Sequence, residues 1–331
     1  MTPAAAGPRR GLVLGGGGVL GAAWTVGALQ ALEDELGMDA REFDALVGTS
    51  AGSVLASLLA CGVSVEDLLT HQLDGSIDVG PLAGYRFDYE SDTGGSRPPR
   101  PRVGLGSSGL LRANARQLRQ LPPTAVLSAI VPEGRGSIES VGALVSWVAG
   151  DGWAPHDGLC VVALDFDSGR RVAFGREDAP LVPLASSVMA SCAIPGWYQP
   201  VRIGEHRYID GGAWSSTNLD LMVGQELDEV FVLAPQVSFV RDTPTQWRTR
   251  MERQWRNRVT LRCLRELHRV HRDGAHVTVL GPGEEDLEAL GSNLMDVTRR
   301  PRVIETSLRT SAHALRDPAP LPDQSRFEDV G

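Results

Sequence analysis

Phe43-Asp44-Ala45-Leu46-Val47-Gly48-Thr49-Ser50-Ala51-Gly52 is the stretch on which the fold turns. A short apolar strand, Phe43 to Gly48, runs into the pattern Gly48-x-Ser50-x-Gly52. A helix rich in Ala, Leu and Ser follows, from Ser50 to Cys61. Small residues on both sides of a serine permit a sharp strand-to-helix turn that lifts its hydroxyl above the sheet edge. At the helix N-terminus the dipole and the free N–H groups favour developing negative charge. The pentapeptide alone is a weak signal. The strand before it and the helix after it give it weight.

Working outward, Gly11 to Leu14 reads as a first buried strand and Gly21 to Leu36 as a first helix. Two strand–turn–helix units in succession predict an α/β fold, a three-layer α/β/α arrangement with a mostly parallel central sheet. Later strands are expected at Leu159–Leu164 and Arg171–Phe174, up to Tyr208-Ile209, and at Val230–Leu233 and His276–Leu280. Later helices are expected at Leu110–Leu121, Ile138–Ala149, Val182–Cys192, Thr245–Arg272 and Asn293–Leu315. The expected organisation is a flexible N-terminus over 1–10, one catalytic domain over 11–316 and a polar tail over 317–331. Residues 91–108, dense in Gly, Pro and Ser, read as a mobile loop or lid.

The chain has 331 residues and a net charge of −9, and all 32 of its basic residues are Arg. Without Lys there is no P-loop lysine, no Schiff base and no Ser–Lys dyad. Cys61, Cys160, Cys192 and Cys263 form no C-x-x-C and no zinc-spaced cluster. They read as reduced core residues of a cytoplasmic protein, and neither a metal nor another cofactor is expected. Arg9-Arg10 before an apolar run mimics a signal peptide, but the run is too rich in Gly for a signal helix. No stretch of 18 apolar residues occurs, so no membrane span is expected.

Two more motifs carry chemistry. Gly15-Gly16-Gly17-Gly18-Val19-Leu20-Gly21 follows the first strand, and its glycines let backbone N–H groups converge on an anion. One reading is an oxyanion hole for Ser50, built from Gly16, Gly17, Gly18 and Gly21. Another is a dinucleotide-binding protein, because Gly16-x-Gly18-x-x-Gly21 matches G-x-G-x-x-G. That reading wants an acid at the end of the second strand, where this chain has Gly48-Thr49-Ser50. Asp210-Gly211-Gly212, after the strand ending at Ile209, puts a carboxylate on a loop with room for close backbone approach. An isolated Asp-Gly is usually only a turn.

Taken together, these three motifs in this order resemble the patatin-like phospholipases. Ser191-Cys192-Ala193-Ile194-Pro195 and Asn218 are similar to further features of that family. The resemblance implies a lipid acyl-ester hydrolase with Ser50 as nucleophile, Asp210 as general base and acid, and an acyl-enzyme intermediate. Gly48 and Gly52 shape the elbow, and Gly211, Gly212 and Asn218 support it. Leu20 departs from the basic residue usual there in the family. A catalytically weak scaffold of the same fold is the further alternative.

A Ser-His-Asp triad also stays open on sequence. Seven His occur, and His268, His271, His276 and His313 follow Asp210. A different feature is the helix at 245–272. Arg258, Arg262, Arg265, Arg269 and Arg272 step by four and three, which makes one stripe at helical pitch. Arg258, Arg262 and Arg265 are candidates to meet anionic lipid headgroups at a membrane surface. The competing expectation is an ordinary surface helix whose apolar side packs on the core. Trp247, Met251 and Trp255 are either interfacial anchors or core. Nucleic acid is not an expected partner, since aromatic residues are sparse and net charge is acidic.

Overall fold

The computed structural model describes residues 7–93, 95–116, 121–240 and 247–318, with backbone alone at 247–249. Parts of the expected N-terminus (1–6) and tail (319–331), together with 94, 117–120 and 245–246, lie outside the described residues.

Strand β1 (Arg10–Leu14) leads into helix α1 (Gly18–Leu36), which ends on a left-handed Gly37. Strand β2 (Ala45–Thr49) leads into α2 (Ala51–Ala60). After α3 (Val65–Gln72), α4 (Tyr89–Asp92), α5 (Ser108–Ala113), α6 (Pro123–Ile130) and α7 (Glu139–Ala149) come β3 (Leu159–Asp165) and β4 (Arg171–Phe174). Then follow α8 (Leu184–Ser191), β5 (Val201–Ile203), β6 (His206–Asp210) and β7 (Glu229–Leu233). The chain continues with α9 (Trp247–Arg272), β8 (His276–Leu280), α10 (Glu284–Leu290) and α11 (Arg300–Arg316).

The sheet order is β5-β6-β3-β2-β1-β7-β8, with β4 also on β3. The five strands from β3 to β8 in that order are mutually parallel, β4 and β6 run antiparallel to β3, and β5, antiparallel to β6, returns to the direction of the parallel set. Both faces are covered, which is why the central strands read as unbroken apolar runs. Alternation along each strand divides the core. Leu12, Leu14 and Leu46 pack with α1, α2, α7 and α8 on one face. Val13, Val47 and Val232 pack with Cys263, Leu267 and Val270 of α9 on the other. The three-layer α/β/α reading of the sequence therefore holds. All four Cys are free thiols, and three are buried. No helix among the described residues is long and apolar enough to cross a membrane.

Local side-chain chemistry accounts for the departures from expectation. The helix expected over 110–121 stops at Ala113, where Asn114 Nδ2 donates to the carbonyls of Leu110 and Ser168. The last helix begins at Arg300 rather than near 293. Asn293 and Asp296 first close side-chain turns onto the amides of Met295 and Thr298. Helix α6 starts at Pro123, where a missing N–H costs nothing, so a Pro-Pro pair that looks like a breaker opens a helix. Helix α3 is capped by Ser64, which accepts from Asp67 N.

Phe43, at the entry to β2, is buried and meets Phe231 edge-to-face at 5.9 Å. Phe43→Ala should cost about 3–5 kcal/mol, read as a lower urea midpoint with an unchanged slope.

Candidate active site

Two strands reach the site through neighbouring residues of β3. Thr49 pairs with Val162, and Asp210 pairs with Ala163. Ser50, one residue past β2, and Asp210, the last residue of β6, thus arrive side by side. Ser50 Oγ donates to Asp210 Oδ2 at 2.6 Å.

The turn at Ser50 is tight. Its φ of 53° and ψ of −128° are sparsely populated for a residue with a side chain and cost on the order of 1–3 kcal/mol. A Cβ on Gly52 would lie 2.1 Å from the Leu14 carbonyl oxygen, and one on Gly48 2.5 Å from Ser53 Cα. Both flanking glycines are thus required by close approach. Ser50 N donates to Ser191 Oγ at 2.9 Å, and Ser191 Oγ donates to the Val162 carbonyl at 2.6 Å. Asp210 N donates to the Ala193 carbonyl at 3.0 Å. Residues 191–193 therefore brace both members of the pair. The sequence offered this segment only through a family resemblance, and no local pattern reveals that Ser191 ties the elbow to β3.

Asp210 is buried, and its other oxygen accepts from Gly212 N at 2.7 Å. Burial pushes its carboxyl up to about 6, against the lowering effect of the bonds from Ser50 and Gly212. Gly211 opens a short 3-10 turn that carries the chain away from Asp210. Asn218, left-handed at φ 51°, donates to Thr49 Oγ1 at 3.0 Å and to the Ser215 carbonyl at 2.7 Å. It thus holds the residue before Ser50. Glu266 on α9 is buried and accepts from Thr217 Oγ1 and Leu219 N, fixing the loop that carries Asn218. Sequence reading did not identify Glu266, whose only signal was an acid on the apolar side of a basic helix.

Among the four candidate oxyanion glycines, two amides are already committed. Gly16 N donates to the Ser216 carbonyl and Gly21 N to the Gly17 carbonyl, both at 2.9 Å. Gly17 and Gly18 N–H have no acceptor among the described residues, and both line the cleft at Ser50. The loop is backed by Pro235, whose carbonyl accepts from the buried Arg256 of α9 at 2.8 Å. Leu20 is buried, with its amide on the Leu294 carbonyl. The end of β2 carries the serine turn where a dinucleotide site would need an acid.

The cleft has a volume of about 290 Å³ and holds Ser50, Asp210 and Gly16 to Gly18, with Leu127, Ile194 and Trp255 among its apolar walls. None of the late histidines lines it or bonds to Ser50 or Asp210 among the described residues. His268, for one, meets the Leu264 carbonyl of its own helix. None of the described residues of 91–108, the stretch expected to form a lid, lines it either.

The basic helix packs its apolar side, Cys263, Leu264, Leu267 and Val270, on the core. Arg258, Arg262 and Arg265 face a groove of about 370 Å³ that shares Thr124, Leu127, Gly212 and Trp255 with the cleft. Arg262 is paired with Glu266 at 3.0 Å and lies 5.4 Å from the centre of the Trp214 ring. Met251 and Trp255 are exposed. The side chain of Trp247 lies outside what the structure describes.

Fold and site define a class: an α/β/α protein with an elbow serine hydrogen-bonded to a buried aspartate beside a glycine-rich loop. The Patatin-like phospholipase family model matches residues 12–84 and 154–223, which contain all three motifs. Over these two segments the chain is similar to the patatin-like phospholipases. Among solved structures, VipD from Legionella pneumophila is similar at 15% identity and a TM-score of 0.42, covering 94% of this chain and 67% of that one. The type III effector protein ExoU is similar at 18% identity and a TM-score of 0.36, covering 93% of this chain and 53% of that one. No curated protein matches the chain in sequence.

A buried carboxyl whose folded pKa lies above its unfolded value lowers stability as pH rises between the two. For Asp210 that window runs from about 4 to about 6, and the full cost above it is about 3 kcal/mol. Asp210→Asn should therefore gain stability over the wild type at pH 8 and little at pH 4, as measured by urea unfolding at both.

Proposed function

We propose that this protein is a lipid acyl-ester hydrolase that works through a Ser50–Asp210 dyad. The observation that carries the reading is the 2.6 Å bond from Ser50 Oγ to a buried Asp210, in a cleft with apolar walls and two amides that have no acceptor among the described residues. The match of both segments to the patatin-like phospholipase family model supports a lipid ester as substrate.

Asp210 takes the Ser50 proton as Oγ attacks the ester carbonyl carbon. The Gly17 and Gly18 amides hold the resulting oxyanion. Protonated Asp210 then gives its proton to the departing alcohol oxygen, leaving an acyl-enzyme. Water attacks that ester with Asp210 again as base, and the acid leaves with Ser50 restored. A carboxylate pushed up to about 6 is a better-matched base near neutrality than an ordinary one. A His-free pair suffices for this cycle. Labelling with a fluorophosphonate probe tests it. The wild type should label, Ser50→Ala should not, and the labelling rate should fall on an acid limb centred near pH 6. A wild type that does not label would sink the hydrolase reading.

The groove beside the cleft supports a place for an anionic headgroup, at the edge of an anionic membrane. Its guanidiniums are suited to phosphate geometry, and the exposed Met251 and Trp255 lie on the same helix. Arg258→Glu with Arg265→Glu should lower the ratio of anionic-lipid to neutral-ester hydrolysis at least about tenfold. The double variant should also bind anionic vesicles more weakly in a sedimentation assay. Equal binding would remove the headgroup role.

A further inference from the structure

Ser50 borders two cavities. One is the open cleft shared with Asp210. The other is narrower, about 90 Å³, and shares Gly18, Ser50 and Ile194 with it. Its walls are almost wholly apolar. Ala51, Val54, Leu55 and Leu58 follow helical spacing along one face of α2, and Val141 and Leu144 of α7 also line it. No element of the dyad chemistry uses this space.

Where this cavity borders a second, polar pocket its wall is built differently. His71, Phe87 and Tyr89 stack there, with Phe87 and Tyr89 edge-to-face at 4.9 Å. His71 Nδ1 meets Tyr89 Oη at 2.8 Å. Arg300 lies 3.8 Å from the centre of the Tyr89 ring, donates to the Gln72 carbonyl at 2.6 Å and pairs with Asp74 at 2.8 Å. Burial and Arg300 together hold the His71 pKa below its ordinary value, so the ring is neutral and suits an apolar wall. Beyond this stack is a polar pocket of about 670 Å³, and His71 and Phe87 line both spaces. Two side chains therefore partition an apolar channel from a wet pocket.

Resting on the hydrolase reading above, we propose that the narrow cavity is the acyl-chain site and that the His71–Phe87 partition is its end wall. From Ala51 to Leu58 helix α2 rises about 10 Å. An extended chain advances about 1.2 Å per bond, so the channel takes an acyl chain of roughly eight carbons. A longer chain meets the clamped aromatic stack. The ester of a medium-length acid is thus the favoured substrate, with its alcohol in the open cleft.

The test is kcat/KM across p-nitrophenyl esters from acetyl to palmitoyl. In the wild type each added CH₂ should raise it up to about fourfold until the chain reaches the wall, and then it should fall. Phe87→Ala, which joins the two spaces, should move the optimum to longer chains. Val54→Trp, which fills the channel nearer Ser50, should move it to shorter ones and decides alone if the first variant does not fold. Cleavage by the wild type with the same optimum in both variants overturns the acyl site and leaves the hydrolase standing. A wild type that cleaves no ester overturns the hydrolase, and the acyl site with it.

Discussion

One strand register governs the centre of this molecule. Because β3 pairs with Thr49 at Val162 and with Asp210 at Ala163, a parallel and an antiparallel partner end at adjacent rungs. A one-residue slip of β6 would turn the carboxylate to the opposite face of the sheet. The Ser50–Asp210 bond is therefore a property of the sheet before it is a property of the loops. The loops refine it. Ser191 fastens the elbow amide to the same β3 carbonyl row, and Asn218 holds Thr49 from the other direction.

The costs at this centre run together. A strained Ser50 backbone and a buried carboxylate both oppose folding, and each persists because its surroundings leave it no alternative. The helix at 247–272 is part of those surroundings. Through Arg256 it reaches the Pro235 carbonyl behind the glycine loop, and through Glu266 it reaches the segment after Asp210. A helix that reads as a charged surface element thus braces two sides of the site from beneath while showing Arg258 and Arg265 to solvent.

Much of this was legible in the sequence, and the boundary has a physical reason. Buried parallel strands advertise themselves as apolar runs, so β1, β2, β3, β7 and β8 fell within a residue or two of expectation. Ser50, Asp210 and the glycine loop stood out because each motif carries its own local geometry. Ser191 and Glu266 did not, since a single hydroxyl or acid gains its meaning only from a partner far along the chain. The glycine loop shows the same limit. Four glycines look equivalent in sequence, and only tertiary pairing separates the Gly16 and Gly21 amides, already bonded, from those of Gly17 and Gly18. Short helices such as α3 and α6 escaped because their start signals were a lone Ser and a Pro-Pro pair.

Ser50 lies at the mouth of a channel whose far end is walled by a clamped aromatic stack. For the proposed reaction this sets an order in time as well as in space. The alcohol lies in the open cleft and departs first, while the acyl chain stays threaded and tethered. After hydrolysis the fatty acid must be drawn back past Ser50, through the space the alcohol vacated. Its carboxylate would leave alongside a buried aspartate of like charge, which repels it outward. The blind end thus makes withdrawal of the acid a natural brake on turnover, one that tightens with every carbon the channel accommodates.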